Sequence, residues 1–315
     1  MNFRAVVQKK YDLLFNYLHQ LRGYSKLHKR FLDIHGYPLD LSKPVTHNHR
    51  IVHKMLKDRS PLLTLTADKV KVRRYVLECL GKKLADEILI PTYFESITGK
   101  DIPFQSWDFE VFVKANHFSG GNLLVKPGDD LEKITKLCAY WLNTSFGQRE
   151  HEWLYRDIPR RIICEMVLRS SDGKIPMDIK LHCYHGKVKM IFFMEDRFEE
   201  PRRFFTDENL REMPGTPMMG AKKIKRMPFF SNLNEMKLIA EKLAAPFDFC
   251  RIDLYTIENQ IYFGEITHYP ARGLEPFDEY DADLTLGQMW KKENRERNFF
   301  QIYDQIKSNS YDIEN

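Results

Sequence analysis

With 315 residues, 43% of them hydrophobic, 30% charged and 13% aromatic, the chain carries enough apolar material for a substantial core, and 15 glycines and 15 prolines are too few for a fibrous or low-complexity polymer. This length allows one elaborated domain or two modest ones. The balance of 49 Lys and Arg against 44 Asp and Glu, +5 at neutral pH, favours anionic partners without choosing among nucleotides, nucleic acids and acidic glycans.

In chain order, Val7, Tyr11, Leu14, Leu18 and Leu21 recur at steps of four and three, which predicts an amphipathic helix whose apolar stripe packs on the rest of the protein. Charges at Arg4, Lys9, Lys10 and Asp12 interrupt any apolar leader, and the longest apolar run, residues 137–142, is far below the ~18–20 residues of a spanning helix. A cytoplasmic location is expected, with room for peripheral attachment at the inner face of a membrane. Thr46 caps a second helix to about Arg59, and Asp68 caps a third that presents Val72, Val76 and Leu80 to the core until Gly81. Ile88-Leu89-Ile90 reads as a short strand. Glu110 to Lys114 alternates as another, and Ser119-Gly120-Gly121 turns it into Leu123 to Lys126. A helix from about Asp130 to Leu142 follows, then strands over 161–168, 177–184 and 187–194, the last two joined at His185-Gly186. The middle is therefore α+β with antiparallel hairpins.

From Glu199 to Phe230, Pro201, Pro214, Pro217 and Pro228 and the lack of periodicity predict a long irregular excursion carrying Lys222, Lys223, Lys225 and Arg226. A helix over 233–244 leads to a hairpin of Phe249 to Thr256 and Ile261 to Thr267, and a charged helix with a frayed end is expected after Trp290. Cys79, Cys138, Cys164, Cys183 and Cys250, odd in number and without close pairing, read as reduced thiols, mostly buried.

The late hairpin is the most informative segment. If its loop is the three residues Glu258 to Gln260, Ile257 pairs with Ile261 and Asp253 lies directly opposite Glu265. Opposed like charges at that spacing are unfavourable, so the pair is solvated, partly protonated or bridged by a cation. Mg²⁺, which takes one or two carboxylates and fills its shell with water and phosphate oxygens, is the economical occupant. A two-residue loop would slip the register by one and turn the carboxylates apart. The middle hairpin places Asp178, Lys180 and His182 on one face, with Arg197 after the return strand. Lys114 ends an apolar strand just before a Ser-Gly-Gly loop whose backbone amides can approach a phosphate, or which is a plain tight turn. Glu165, a lone acid inside an apolar strand, needs a partner such as a nucleotide hydroxyl or a lysine.

In this order the residues resemble the TupA-like ATP-grasp family associated with teichuronopeptide and other bacterial surface polysaccharides. The carrying segments are residues 67–73, the Lys114 strand with its loop, Ile158-Pro159-Arg160 leading to Glu165, Asp178-Ile179-Lys180 with His185-Gly186-Lys187, and residues 251–255 with 262–265. Residues 46–50, Thr-His-Asn-His-Arg, depart from a usual Thr-Phe-Asn-Glu-Lys run, and Thr267 stands where many ATP-grasp enzymes carry Asn. The resemblance implies an α+β ATP-grasp fold in which two α+β lobes clasp ATP, with a short helical N-terminal extension in place of a full pre-ATP-grasp domain. It divides the chain into a helical region (1–66), an N-terminal lobe with a glycine-loop lid (67–164), a C-terminal lobe with the metal hairpin (165–290) and a charged C-terminal helix or tail (291–315). It assigns ATP and Mg²⁺ as cofactors. Lys69, Lys114, Ser119, Gly120, Gly121, Glu165, Met166, Val167, Leu168 and Asp178 would bind ATP; Asp253, Glu265 and Thr267 would hold the metal; Lys180, Arg197, Arg251 and Arg272 would be catalytic. The implied reaction joins a uronic acid carboxylate to an amino acid through an acyl phosphate. The sugar partner would be free, nucleotide-linked, lipid-linked or polymeric.

A kinase on the same fold would need only a hydroxyl acceptor, and a non-catalytic glycan- or nucleotide-binding module accounts for the altered residues 46–50 and Thr267. A nucleic-acid binder leaves the carboxylate hairpin unexplained and matches no binding motif. Trp107, Trp141, Trp153 and Trp290 read chiefly as core aromatics, and His117 stands beside the glycine loop as a further contact candidate.

Overall fold

A computed structural model of the chain describes residues 11, 14–147, 150–196, 200–217, 220–227 and 229–311. Residues 14–21 are helical and are followed by α1 (Ser25–His35), α2 (His47–Lys57), α3 (Pro61–Ala67), α4 (Val72–Leu80) and α5 (Lys82–Ile88). The Thr46 hydroxyl accepts from the His49 amide at 3.1 Å and so caps α2, while Asp68 accepts from the Val70 amide at 3.0 Å ahead of α4. The strand expected at Ile88-Leu89-Ile90 is instead the end of α5 and its exit. Ala85 and Ile88 share the buried face of that helix, and Leu89 makes one isolated bridge to Phe263.

The first sheet comprises β1 (Thr92–Ser96), β2 (Val111–Ala115), β3 (Asn122–Val125) and β4 (Ile162–Met166), antiparallel in the order β1-β4-β2-β3. The alternation in β2 sends Val111, Val113 and Ala115 into a core with Ile162 and Cys164, covered by Ile134, Cys138 and Trp141 of α6 (Leu131–Asn143). Asp130 caps α6 by accepting from the Glu132 and Lys133 amides. Phe112 and Lys114 are thereby left for the opposite face.

The second sheet has the order β10-β9-β5-β6-β7-β8, formed by β5 (Asp178–Tyr184), β6 (Lys187–Glu195), β7 (Arg202–Asp207), β8 (Lys222–Lys223), β9 (Phe249–Ile257) and β10 (Gln260–Thr267). Ile179, Leu181 and Cys183 of β5 and Cys250, Ile252 and Leu254 of β9 turn inward with Met236, Ile239, Ala240 and Leu243 of α7 (Leu233–Ala244). The other face carries Asp178, Lys180 and His182 beside Arg251 and Asp253. α8 (Tyr280–Met289) and α9 (Phe299–Tyr311) complete the fold.

Two expectations need correction and a third is refined. The excursion from Glu199 to Phe230 contains β7 and β8, because Phe204 and Phe205 are both buried against the sheet and extend it by pairing with β6. In the C-terminal segment, expected as a charged helix or tail, residues 299–311 form α9, and its Phe299, Ile302 and Tyr303 join the main core. The lobe divisions also differ from those the resemblance implies: a break at 164/165 falls inside β4, and α3 to α5, including residues 67–88, pack in the core of the second sheet. Of the stripe that should have packed, Tyr11, Leu14, Leu18 and Leu21 are exposed; Val7 lies outside the described residues. Four of the five cysteines are buried, Cys79 is half-buried, and none is in a disulfide.

Candidate active site

The β9–β10 hairpin turns on two residues, not three. Glu258 and Asn259 have φ of 50° and 70°, the left-handed pair of a tight turn whose twist matches the strands, and Gln260 pairs with Ile257. Such a turn alone would oppose Asp253 to residue 264. A β-bulge between Phe263 and Glu265 takes up one residue and restores the pairing of Asp253 with Glu265. Gly264 is the extra residue. A Cβ there would lie 3.0 Å from the Asp253 carbonyl oxygen and 3.0 Å from the Tyr255 ring, so the bulge closes tightly only on glycine.

Asp253 is buried, and its carboxylate is gripped on both oxygens. Arg251 donates from Nε at 2.6 Å and from Nη2 at 2.8 Å, and Lys180 Nζ donates at 2.7 Å. Lys180 also reaches Asp178 at 3.3 Å. Burial alone would raise the Asp253 carboxyl, but the Arg251 and Lys180 charges outweigh it and hold the group well below the usual carboxylate range. Glu265 differs. Its side chain is 44% exposed, and its neighbours stand back, with Thr267 Oγ1 at 3.1 Å, Arg251 Nη2 at 3.6 Å and Lys69 Nζ at 3.9 Å. Its carboxyl too is lowered, burial being overcome by the Lys69 charge and then by Arg251 and Lys180. Glu265 is thus held only by long ion pairs and one hydroxyl, so a cation displaces less to reach it than to reach Asp253.

From the first sheet, Lys114 and Glu165 form an ion pair of 2.6 Å, with Arg73 4.0 Å from the same carboxylate. Asn116 locates the neighbouring lysine. Its side chain donates to Asp68 at 2.8 Å and to the Pro159 carbonyl at 2.9 Å, and its carbonyl accepts from the Lys69 amide at 3.2 Å. Lys69 Nζ in turn donates to the Phe118 carbonyl at 3.0 Å. Burial lowers the Lys69 ammonium, opposed by Glu265. Ser119 and Gly120 form the exposed tip of the β2–β3 loop, and Gly121 sits against Phe118, where a Cβ would come within 2.7 Å of the Phe118 Cβ and 2.9 Å of its ring.

Two joined clefts run between the sheets. One, of about 390 Å³, is lined by Ile90, Phe112, Leu168 and Met194 with Met166 and Asp178. The other, of about 90 Å³, holds Lys69, Arg73, the residues 119–121 loop, Glu165, Asp253 and Glu265. Arg169, Lys174 and Asp196 also line the first, and Lys114, Asn122 and Tyr255 line both, so a cleft of mixed apolar and charged lining passes directly into a highly charged one. Val167 is half-buried and lies off this lining. Arg197 lies outside the described residues. His117 points away from the cleft: it is buried, contacts Asn116 Oδ1 and the Thr144 carbonyl, and is pushed down to about 4 by burial.

Arg272 stands in a run of left-handed residues, Ala271, Arg272 and Gly273, with φ of 46°, 60° and 67°. The run packs on α2, where a Cβ at position 273 would meet the Asn48 carbonyl at 2.7 Å. Two non-glycine residues held there cost roughly 1–2 kcal/mol each, strain of the kind concentrated at functional sites. Arg272 interacts electrostatically with buried Glu152, whose carboxyl burial pushes up to about 7.

Sequence reasoning did not place Arg73, Asn122 or Tyr255 at the cleft, nor Asn116 as the hub behind Lys69. Arg73 and Tyr255 lie in the segments 67–73 and 251–255 that carry the resemblance but are given no role there; Asn116 and Asn122 reach the site through strand pairing and long-range bonds. His182 was placed on the correct face, but its state was not foreseen. It is buried, and neither ring nitrogen has a hydrogen-bond partner among the described residues. A cavity of about 20 Å³, room for one water, lies between it, Arg251 and Glu275.

The sequence profile described as TupA-like ATPgrasp matches residues 49–291, well over half of the chain. The chain belongs to this family. The TupA-like protein therefore has an α+β ATP-grasp fold, with the helices before residue 49 as an N-terminal extension. Similar solved structures include D-alanine–D-alanine ligase from Bacillus anthracis complexed with ATP (16% identity, TM-score 0.41, covering 80% of this chain and 69% of that one). The VanG D-Ala:D-Ser ligase from Enterococcus faecalis is another (15%, 0.40, 77% and 61%). The ATP-grasp ligase PsnB in complex with Mg, ADP and a precursor variant is a third (10%, 0.39, 67% and 52%), so the chain spans about half the length of PsnB. No curated protein sequence matches significantly.

Within this ATP-grasp chain, the altered residues 46–50 act as a structural clamp. Asn48 donates to Asp283 and to the Glu275 carbonyl, and His47 Nδ1 bonds the Tyr184 hydroxyl at 2.9 Å. The donors at the hairpin are oxygens of the kind Mg²⁺ takes, but only Glu265 is loosely held: Asp253 is bonded on both oxygens by Arg251 and Lys180 and would have to exchange one of those bonds for the ion, and the Thr267 hydroxyl accepts from Arg251 at 3.1 Å. Among the described residues no group of three or more His, Cys, Asp or Glu could hold a metal, so phosphate and water oxygens would have to complete its shell. No helix of the described residues is long and apolar enough to cross a membrane.

Proposed function

We propose that this chain is an ATP-dependent carboxylate–amine ligase that joins the carboxylate of a uronic acid, in a sugar destined for a bacterial capsule, O-antigen or wall polymer, to an amino acid. The observation that carries the reading is the bulged hairpin. It sets Glu265 against Asp253 where the larger cleft gives way to Lys69, Lys114 and Glu165, with Lys180 and Arg251 bonded to Asp253 behind that lining.

In this reading the purine lies in the larger cleft against Phe112, Leu168 and Met194, and Glu165 exchanges its ion pair with Lys114 for the ribose hydroxyls. Lys114 and Lys69 then meet the phosphates, over which the residues 119–121 loop closes with its backbone amides. Asp253, Glu265 and Thr267 would hold Mg²⁺, which supplies charge neutralisation of the transferring phosphoryl group. Arg272 orients the substrate carboxylate. A carboxylate oxygen attacks the γ-phosphorus as the bond to the ADP oxygen breaks, and Lys180 and Arg251 offset the charge on the phosphoryl oxygens. The amine next attacks the acyl carbon and loses a proton as phosphate leaves, giving the amide. Holding both reactants in a closed cleft supplies proximity and keeps water from the acyl phosphate.

The test is to incubate the purified protein with ATP, Mg²⁺ and a matrix of amino acids and uronic-acid donors, scoring ADP release and products by mass. A product lighter by one water than its two reactants, formed only when acid and amine are both present, is the expected result. A stable phosphorylated sugar would replace the ligase with a kinase. Nucleotide binding without turnover across the matrix would favour a non-catalytic module.

A further inference from the structure

The helix over residues 14–21 presents the wrong face to solvent for an ordinary surface helix. Tyr11, Leu14, Tyr17, Leu18 and Leu21 are 70%, 53%, 58%, 41% and 65% exposed. At 100° per residue, Leu14, Tyr17, Leu18 and Leu21 form one stripe, and Phe15 and His19 lie on the other side. That other side is the seated one. The Phe15 and His19 rings are 4.1 Å apart, and His19 lies 5.5 Å from His151 of the main body. The helix is thus docked by its back, with its apolar stripe outward.

Charge is distributed as unevenly as apolar surface. Residues 1–32 hold seven of the 49 Lys and Arg and one of the 44 Asp and Glu, so the rest of the chain is close to neutral. Between residues 13 and 32 no acid occurs. Arg22, Lys26, Lys29 and Arg30 are all exposed there, continuing from the stripe into α1. α1 is itself fixed to the body, its Phe31 fully buried and stacked 4.0 Å from His35.

We propose that Tyr11 and residues 14–32 seat the protein on an anionic lipid surface, with the leucines and tyrosines at the boundary of the acyl chains and the lysines and arginines on the headgroup phosphates. Exposed apolar side chains followed in the chain by exposed cations that form no ion pair among the described residues fit such an interface. A second copy of the chain would bring Arg22, Lys26, Lys29 and Arg30 against their own like charges. A nucleic acid would leave the four-residue apolar stripe unused. The inference is independent of the proposed reaction, since none of these residues lines the cleft.

The test is cosedimentation of the full chain with vesicles of phosphatidylcholine alone or mixed with phosphatidylglycerol. Binding only to the mixed vesicles, weakened by salt, is expected. Leu14→Ser with Leu18→Ser and Leu21→Ser should lower the partition coefficient at least tenfold, and Lys26→Glu with Lys29→Glu should do the same. Circular dichroism and nucleotide binding should be unchanged in both variants. Equal binding to both vesicle types, no binding to either, or variants that bind like the parent would overturn the proposal. So would a dimer seen by sedimentation velocity that the leucine substitutions abolish, since the stripe would then belong to a second copy. If the leucine variant misfolds, the lysine variant, altered only at exposed positions, decides alone.

Discussion

The two walls of the cleft are built differently. On the large-sheet wall, Asp253 is held by Arg251, two residues earlier on β9, and by Lys180 of the adjacent strand β5. On the small-sheet wall, Lys114 holds Glu165 by a single ion pair and the glycine loop ends in solvent at Ser119 and Gly120. One wall arrives with its electrostatics set; the other has partners to exchange. A fixed charge pattern costs little reorganisation at the moment of transfer, whereas a wall that must admit and release nucleotide gains from bonds that can be traded.

The sharpest way to break this contrast is within the hairpin itself. Glu265→Gln should abolish ADP release, by at least about 100-fold, with the thermal midpoint nearly unchanged, because Glu265 is half exposed and its contacts are long. Asp253→Asn should lose activity and also about 3–5 kcal/mol of stability in denaturant titrations, since Arg251 and Lys180 are left buried beside an uncharged partner. Equal destabilisation by the two substitutions would erase the distinction drawn here. Gly264→Ala should cost ~1–3 kcal/mol, as its Cβ presses on the Asp253 carbonyl, and should weaken Mg²⁺ dependence by moving Glu265.

Glu152 gives a pH-dependent test. A carboxyl raised to about 7 binds its proton more tightly in the folded chain than in the unfolded one. Its contribution to stability is present below about pH 4 and is lost as pH rises to about 7. Glu152→Gln should therefore stabilise the protein relative to the parent by ~1–3 kcal/mol at pH 8 and by little at pH 5. A stability difference independent of pH between those values would contradict this environment. The smallest effect is expected on the adaptable wall. Gly120→Ala, at φ 77° with open space around it, should cost about 1 kcal/mol and raise the KM for ATP more than it lowers kcat.

Much of the fold was legible because period-two alternation is explicit in residues 111–115 and 178–184, and because Thr46, Asp68 and Asp130 announce helix starts. The pairing of Asp253 with Glu265 was reached through a three-residue loop that does not exist. Glu-Asn lacks the glycine that usually signals a two-residue turn, and a bulge is invisible until both strands are registered, so the two omissions cancelled. β7 escaped because Phe204 and Phe205 are consecutive and both buried, which defeats alternation. The outward stripe of the first helix was read as a packing face because periodicity identifies one apolar side without saying what covers it. Asn116 and Arg73 act across distances in sequence that no local pattern encodes.

The turn at Glu258-Asn259 and the kink at Gly264 together behave like a vernier on the hairpin, each worth one step of opposite sense. Adding a residue after Asn259 while deleting Gly264 should leave the two acids facing each other, whereas either edit alone should throw the distal arm onto the opposite side of the sheet. Chain length here is therefore free to drift only in matched pairs of insertions and deletions, so relatives of this protein can differ in the reach of the turn and still present the same grip.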